Sequence, residues 1–124
     1  MLIPILHFCG DCADAMALYE KAFNTKVEYT EHRDDGKIRH AEMTIHGQKV
    51  FLNDRFGNRD KSLDCAVHLA LTFSSVDEFL ACYENLKEGG DIIDPFVETS
   101  YSKLVGNFMD RYGVLWGFMV VEMP

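Results

Sequence analysis

Apolar residues in this chain come in short runs, broken twice by stretches where they recur every three or four positions. The first run, Ile3 to Cys9, has strand length. Beyond it, Met16, Tyr19 and Phe23 fall on one helical face, which predicts a helix over Cys12–Phe23 with Asp11 as its cap and Asn24 at its end. Three strand-like stretches follow, Lys26–Arg33, Ile38–His46 and Lys49–Asp54, with turn chemistry at Asp34-Asp35-Gly36 and Gly47-Gln48. The same order then returns. Ala66–Phe73 reads as a strand, and Ser75-Val-Asp-Glu78 as a capping box. Val76, Phe79, Leu80, Tyr83 and Leu86 form an apolar helical face that Gly89-Gly90 ends. Ile92–Glu98, Lys103–Met109 and Leu115–Glu122 are the last strands, the final two joined by a turn at Asp110-Arg-Tyr-Gly113.

The recurrence extends to residue identity. At an offset of 64, Asp14-Ala-Met-Ala17-Leu-Tyr19-Glu20 falls on Glu78-Phe-Leu-Ala81-Cys-Tyr83-Glu84. Two copies are too few for a solenoid and suit a duplicated domain. The expectation is an α+β protein of two tandem β-α-β-β-β modules, 1–54 and 66–124, joined by a polar linker at 55–65. Together they make one domain spanning 1–124.

Composition narrows the function. The 124 residues are 48% hydrophobic and 26% charged, ordinary for a globular chain. The net charge of −8 repels phosphate backbones and anionic lipid, so neither nucleic acid nor a membrane surface is an expected partner. The longest apolar stretch, Val114 to Val121, is far short of the roughly 20 residues that cross a bilayer. No basic stretch leads into an apolar one near Met1, so a cytoplasmic location is expected. Four cysteines, Cys9, Cys12, Cys65 and Cys82, read as reduced. Cys9-Gly-Asp-Cys12 lacks the second pair that a structural zinc site needs. Cys12 and Cys82 fall in helical patterns, where a thiol packs as a small apolar group.

Several segments carry a family resemblance: Pro4-Ile-Leu-His-Phe8, Cys12-Ala-Asp-Ala15, His40-Ala-Glu-Met-Thr-Ile45, Val50-Phe-Leu-Asn-Asp54 and Gly106-Asn-Phe-Met-Asp110-Arg-Tyr-Gly113-Val-Leu-Trp116. In this order the chain resembles the vicinal oxygen chelate superfamily of glyoxalases, bleomycin-resistance proteins and extradiol dioxygenases. Within it the likeness is to the PhnB-like branch, also called 3-demethylubiquinone methyltransferase-like. The resemblance implies a curved mixed sheet closing into a cup. It also implies, in metal-dependent members, one ligand early in the first strand and one on the last strand of each module. In this chain His68 fits the first-strand position of module two. Pro4, 64 residues earlier, has no donor, and neither has Gly117 on the last strand. Asn53 or Asp54 is the remaining candidate. One clear ligand does not make a divalent site, so no metal and no cofactor are expected.

The organic chemistry left to the cup falls to a few side chains. His40, Glu42, Thr44 and His46 alternate with Ala41, Met43 and Ile45 and so share a strand face. A His–carboxylate pair is suitable general-base equipment, which makes His40 and Glu42, with His68, the candidate catalytic residues. Thr72 alternates with His68 and would face the cup with it. Phe8, Tyr101, Trp116 and Met119 are candidates for its wall. His7 reads as structural. No G-x-G-x-x-G opens a helix after a strand, so the methyltransferase label has no support. The expected function is small-molecule binding without a metal, by a homodimer that covers open sheet edges. The alternatives are a metal-dependent lyase, isomerase or dioxygenase using His68, Glu42 and Asp54, or a protein that sequesters a drug or toxin.

Overall fold

The computed structural model describes residues 1–55 and 67–121. The expected linker, apart from Arg55, and Cys65 lie outside the described residues. The elements run β1 (Ile5–Phe8), α1 (Cys12–Ala22), β2 (Val27–His32), β3 (Ile38–Ile45) and β4 (Gln48–Asp54). They continue as β5 (Leu69–Phe73), α2 (Val76–Leu86), β6 (Asp91–Val97), β7 (Val105–Met109) and β8 (Leu115–Val120). Chain contacts divide them into two compact units, Met1–Asp60 and Lys61–Pro124. The α+β class and the two tandem β-α-β-β-β modules are as the sequence predicts. Among the described residues no helix is long and apolar enough to cross a membrane.

Each unit holds a four-stranded mixed sheet, ordered β1-β4-β3-β2 in the first and β5-β8-β7-β6 in the second. The first strand of each unit lies parallel to the last, and the remaining pairs are antiparallel. The helix between first and second strands supplies the crossover that parallel pairing requires.

Local chemistry sets the element ends. Asn24, with φ of 50°, takes the left-handed conformation after α1. Ile45 pairs with Gln48, so a two-residue turn of His46 and Gly47, both at positive φ, joins β3 to β4. His46 therefore sits in the turn, not in the row of His40, Glu42 and Thr44. Ser75 caps α2 by accepting the Glu78 amide at 3.1 Å. The expected reciprocal bond is diverted: the Glu78 carboxylate accepts from the Ser74 hydroxyl at 2.8 Å. Asp11 occupies the cap position of α1 without a side-chain cap bond. Asp54, at the end of β4, does that work instead, accepting from the Gly10 amide at 2.7 Å, Cys12 at 3.1 Å and Ile38 at 3.0 Å.

Helix-facing positions build each core. In the first unit Leu6, Phe8, Ala41, Met43 and Leu52 are buried with Cys12, Ala15, Met16 and Tyr19 of α1. In the second, Phe73, Phe79, Phe96, Phe108 and Phe118 form a cluster of tilted and edge-to-face rings, 4.7–6.3 Å between centroids. Trp116 is fully buried and donates its indole N–H to Asp110 at 2.9 Å. That carboxylate also accepts from the Tyr112 and Val114 amides, closing the β7–β8 turn.

Candidate functional site

Strand register decides which side chains turn toward the helices and which turn away. Leu6 pairs with Leu52 in the first sheet, and Leu71 with Phe118 in the second. All four are buried, and Phe118 meets Phe79 of α2 edge to face. The first strands of the two units therefore correspond at an offset of 65, and the last strands at 66. The helices keep the offset of 64, because three residues separate β1 from α1 and only two separate β5 from α2. This corrects the sequence pairing of His68 with Pro4. The equivalent of His68 is Ile3, and the equivalent of Gly117 is Phe51.

A metal centre of the kind the resemblance implies would draw donors from these four positions. Ile3, Phe51 and Gly117 have none, and His68 alone can ligate, so the residues present do not fit such a centre. Nor do any three His, Cys, Asp or Glu side chains gather as a metal-binding group among the described residues. Asn53 and Asp54 are also resolved. Asp54 is buried and holds three backbone amides. Asn53 lies on the face away from α1, its Oδ1 2.8 Å from Nδ1 of His7. His7 therefore belongs to the same face as the candidate row.

That face of the first unit carries a charged network. Nε2 of His40 lies 2.9 Å from the Glu42 carboxylate, and the imidazole packs edge-on to Phe51 at 4.8 Å. Lys49 reaches Glu42 at 3.5 Å and Glu28 at 3.3 Å, and the Thr44 hydroxyl donates to Glu28 at 2.7 Å. The hydrogen bond from His40, helped by Lys49, holds the Glu42 carboxyl below its ordinary value of 4.5. Thr44, then Lys49, does the same for Glu28. His40 and Glu42 are thus joined as the sequence suggests, with Lys49 as a third member that alternation along β3 could not reveal.

On the corresponding face of the second unit, His68, Ala70 and Thr72 are exposed. Asn107 on β7 lies opposite Gly117, and Asp94 on β6 opposite Asn107. The Asn107 amide donates to the Asp94 carboxylate at 2.7 Å. A Cβ built on Gly117 would stand 2.7 Å from Asn107 Oδ1 and 3.1 Å from His68 Nε2 and Cδ2. Asn107, which meets His68 over Gly117, and Asp94, which holds Asn107, are residues that the sequence did not single out.

Two wall candidates are corrected. Phe8 is buried against Tyr19 of α1, with 6.4 Å between ring centroids, and Trp116 shares the helix side with Leu69 and Phe118. Both are core residues. Met119 lies on the face away from α2 beside Thr72. Tyr101 is 69% exposed, in a loop beside a cleft of about 270 Å³ lined by residues 98–103 and Val121. Burial, aided by Asp54 and Asp11, pushes the Cys12 thiol up to about 12, and burial does the same to Cys82.

Tandem β-α-β-β-β modules with this sheet order define a glyoxalase-type fold. The chain belongs to the glyoxalase/bleomycin resistance protein/dioxygenase superfamily, whose family model matches residues 2–118. It is similar to the PhnB protein from Bacillus cereus, with a TM-score of 0.86 and 25% identity over 97% of this chain and 98% of that one. It is also similar to protein PA1353 from Pseudomonas aeruginosa, with a TM-score of 0.84 and 24% identity over 99% and 98% of the two chains. Protein YjdN of Escherichia coli is 26% identical over 98% of this chain and 95% of its own length.

Proposed function

We propose that this protein binds a small organic molecule on a sheet face turned away from its helices, without a divalent metal at the positions its family uses. One observation carries the reading: of Ile3, Phe51, His68 and Gly117, only His68 has a donor atom. The network of His40, Glu42 and Lys49 supplies charge and a hydrogen-bonding imidazole. In the second unit His68, Thr72 and Met119 offer a separate, more apolar contact surface, and Tyr101 lies on an exposed loop. His40 with Glu42 is also the pair to which proton transfer would fall if the ligand is turned over. The free thiols Cys9, Cys12 and Cys82 accord with a reducing, cytoplasmic setting.

The test is metal content and response. Protein expressed in medium supplemented with zinc, nickel, manganese and iron is analysed by mass spectrometry for bound metal. Its thermal unfolding is then followed with added Mn²⁺ or Zn²⁺. Far less than one metal per chain and no stabilisation are expected. Stoichiometric metal that His68→Ala removes would overturn the proposal and favour the metal-dependent enzyme. We further infer that the protein works as a homodimer. Strand β6 ends its sheet with Ile92, Ile93 and Val97 half-exposed, an edge that pairing between copies would cover. Light scattering at micromolar concentration should give the dimer mass, and a monomer mass would refute it.

A further inference from the structure

We infer that His68, Asn107 and Asp94 form a subsite over Gly117 that takes the hydroxyl group of an otherwise apolar ligand. The inference rests on the proposed function and narrows it to one place on the second sheet. Gly117 sits at the middle of β8, with Ala70 opposite it on one side and Asn107 on the other. Because Gly117 has no side chain, the tips of Asn107 and His68 sink to the sheet surface. Their Oδ1 and Nε2 atoms lie 2.7 Å and 3.1 Å from one common point, hence no more than 5.8 Å apart.

Asp94 fixes the polarity of this pair. Its carboxylate accepts the Asn107 amide N–H at 2.7 Å, so the amide oxygen, an acceptor, is the atom left over Gly117. The imidazole nitrogen can give or take a hydrogen bond. A fixed acceptor beside such a nitrogen matches a hydroxyl, which donates one bond and accepts another. An anionic group fits poorly, because the Asp94 carboxylate is adjacent and the chain carries a net charge of −8. Around the polar spot, Leu115 and Met119 on β8 and their partners Met109 and Val105 on β7 share the same face, all partly exposed. A polar spot ringed by apolar side chains suits an apolar body bearing one hydroxyl. Asp94 acts through Asn107 and is a positioning residue.

The test uses a matched pair, 2-naphthol and 2-methoxynaphthalene, titrated calorimetrically into the intact protein. Loss of a neutral hydrogen bond predicts that 2-naphthol binds about five- to ten-fold tighter. Asn107→Ala and Gly117→Ala should each bring that ratio close to one, with 2-methoxynaphthalene binding retained in Asn107→Ala. Asp94→Ala should lower the ratio and Asp94→Asn restore it, since an asparagine oxygen still accepts the Asn107 N–H. In ¹⁵N-correlation spectra, the Asn107 side-chain amide should shift with 2-naphthol only. Equal affinities for the two probes, or a ratio unchanged in Asn107→Ala, would overturn the subsite and leave the proposed function standing. Binding of neither probe would count against both, and 2-naphthol binding that requires Mn²⁺ or Zn²⁺ would overturn both.

Discussion

Replacing Asp54 with alanine should destabilise the first unit by about 3–5 kcal/mol. This single carboxylate ties the β1–α1 loop, the first turn of α1 and the start of β3 to the end of β4, through the amides of Gly10, Cys12 and Ile38. It also puts negative charge at the positive end of a helix whose own cap residue makes no side-chain bond. Truncation strands the amides of Cys12 and Ile38, both buried residues, at about 1–3 kcal/mol each. Water can reach Gly10, so its lost bond adds less, and the lost charge at the helix end adds roughly 0.3–1 kcal/mol. Asp54→Asn keeps an oxygen for Gly10 and Cys12 but turns an N–H₂ toward the Ile38 N–H, so an intermediate loss of about 2 kcal/mol is expected. Urea unfolding followed by far-ultraviolet circular dichroism and by fluorescence measures both. Trp116, the one tryptophan, lies in the second unit, so its fluorescence reports that unit while dichroism reports the two together. Coincident shifts of the two signals would mean that the units unfold as one. An Asp54→Ala protein within about 1 kcal/mol of the parent by dichroism would refute the reasoning.

Three further outcomes follow from packing and charge. Gly106→Ala should cost about 1–3 kcal/mol in thermal unfolding, because its Cβ would overlap the Phe96 ring and stand 2.9 Å from the Asp94 carbonyl oxygen; an unchanged melting temperature would show that the cluster yields. Cys12 and Cys82, with thiols pushed up to about 12, should stay unmodified by iodoacetamide at pH 8 in the folded protein and react in urea, as peptide mass spectrometry would show. Glu42 should titrate below 4.5 by carbon NMR and move upward in His40→Ala. Since folding lowers its pKa, the stabilisation it contributes is present above the unfolded value and is lost as pH falls through the lowered one. A midpoint at or above 4.5 would refute the His40 contact.

Most of the architecture was legible because each element has a local signature. The alternation along β3, Ser75 before α2 and the two glycines after it need no knowledge of the rest of the chain. What was missed depends on distant partners. The amide acceptor at the start of α1 comes from Asp54, on a strand three elements away. Leu80, expected on the apolar face of α2, is 41% exposed, because the aromatic cluster fixes which side packs. Trp116 was misplaced for another reason. Leu115-Trp-Gly-Phe-Met-Val120 is apolar throughout, as an inner strand with a parallel neighbour commonly is, so the sequence does not tell one face from the other. The register of Leu69 with Trp116 supplies that phase. It also exposes the one-residue difference in loop length that pairs His68 with Ile3 instead of Pro4.

Equivalent positions in the two units then divide by the face they occupy. On the helix side, Leu6 answers Leu71 and Leu52 answers Phe118, so apolar character is kept because those side chains must fill the layer under a helix. On the opposite side only Ile5, which answers Ala70, keeps its apolar character. Ile3 answers His68, His7 answers Thr72, Phe51 answers Gly117 and Asn53 answers Met119. Where the first unit has a phenyl ring packed on His40, the second has a bare glycine over which His68 and Asn107 meet. Of the four positions that metal-dependent members of the family use, these exchanges leave a donor at His68 alone. The same exchanges leave that face charged in the first unit and mostly apolar with a single polar spot in the second.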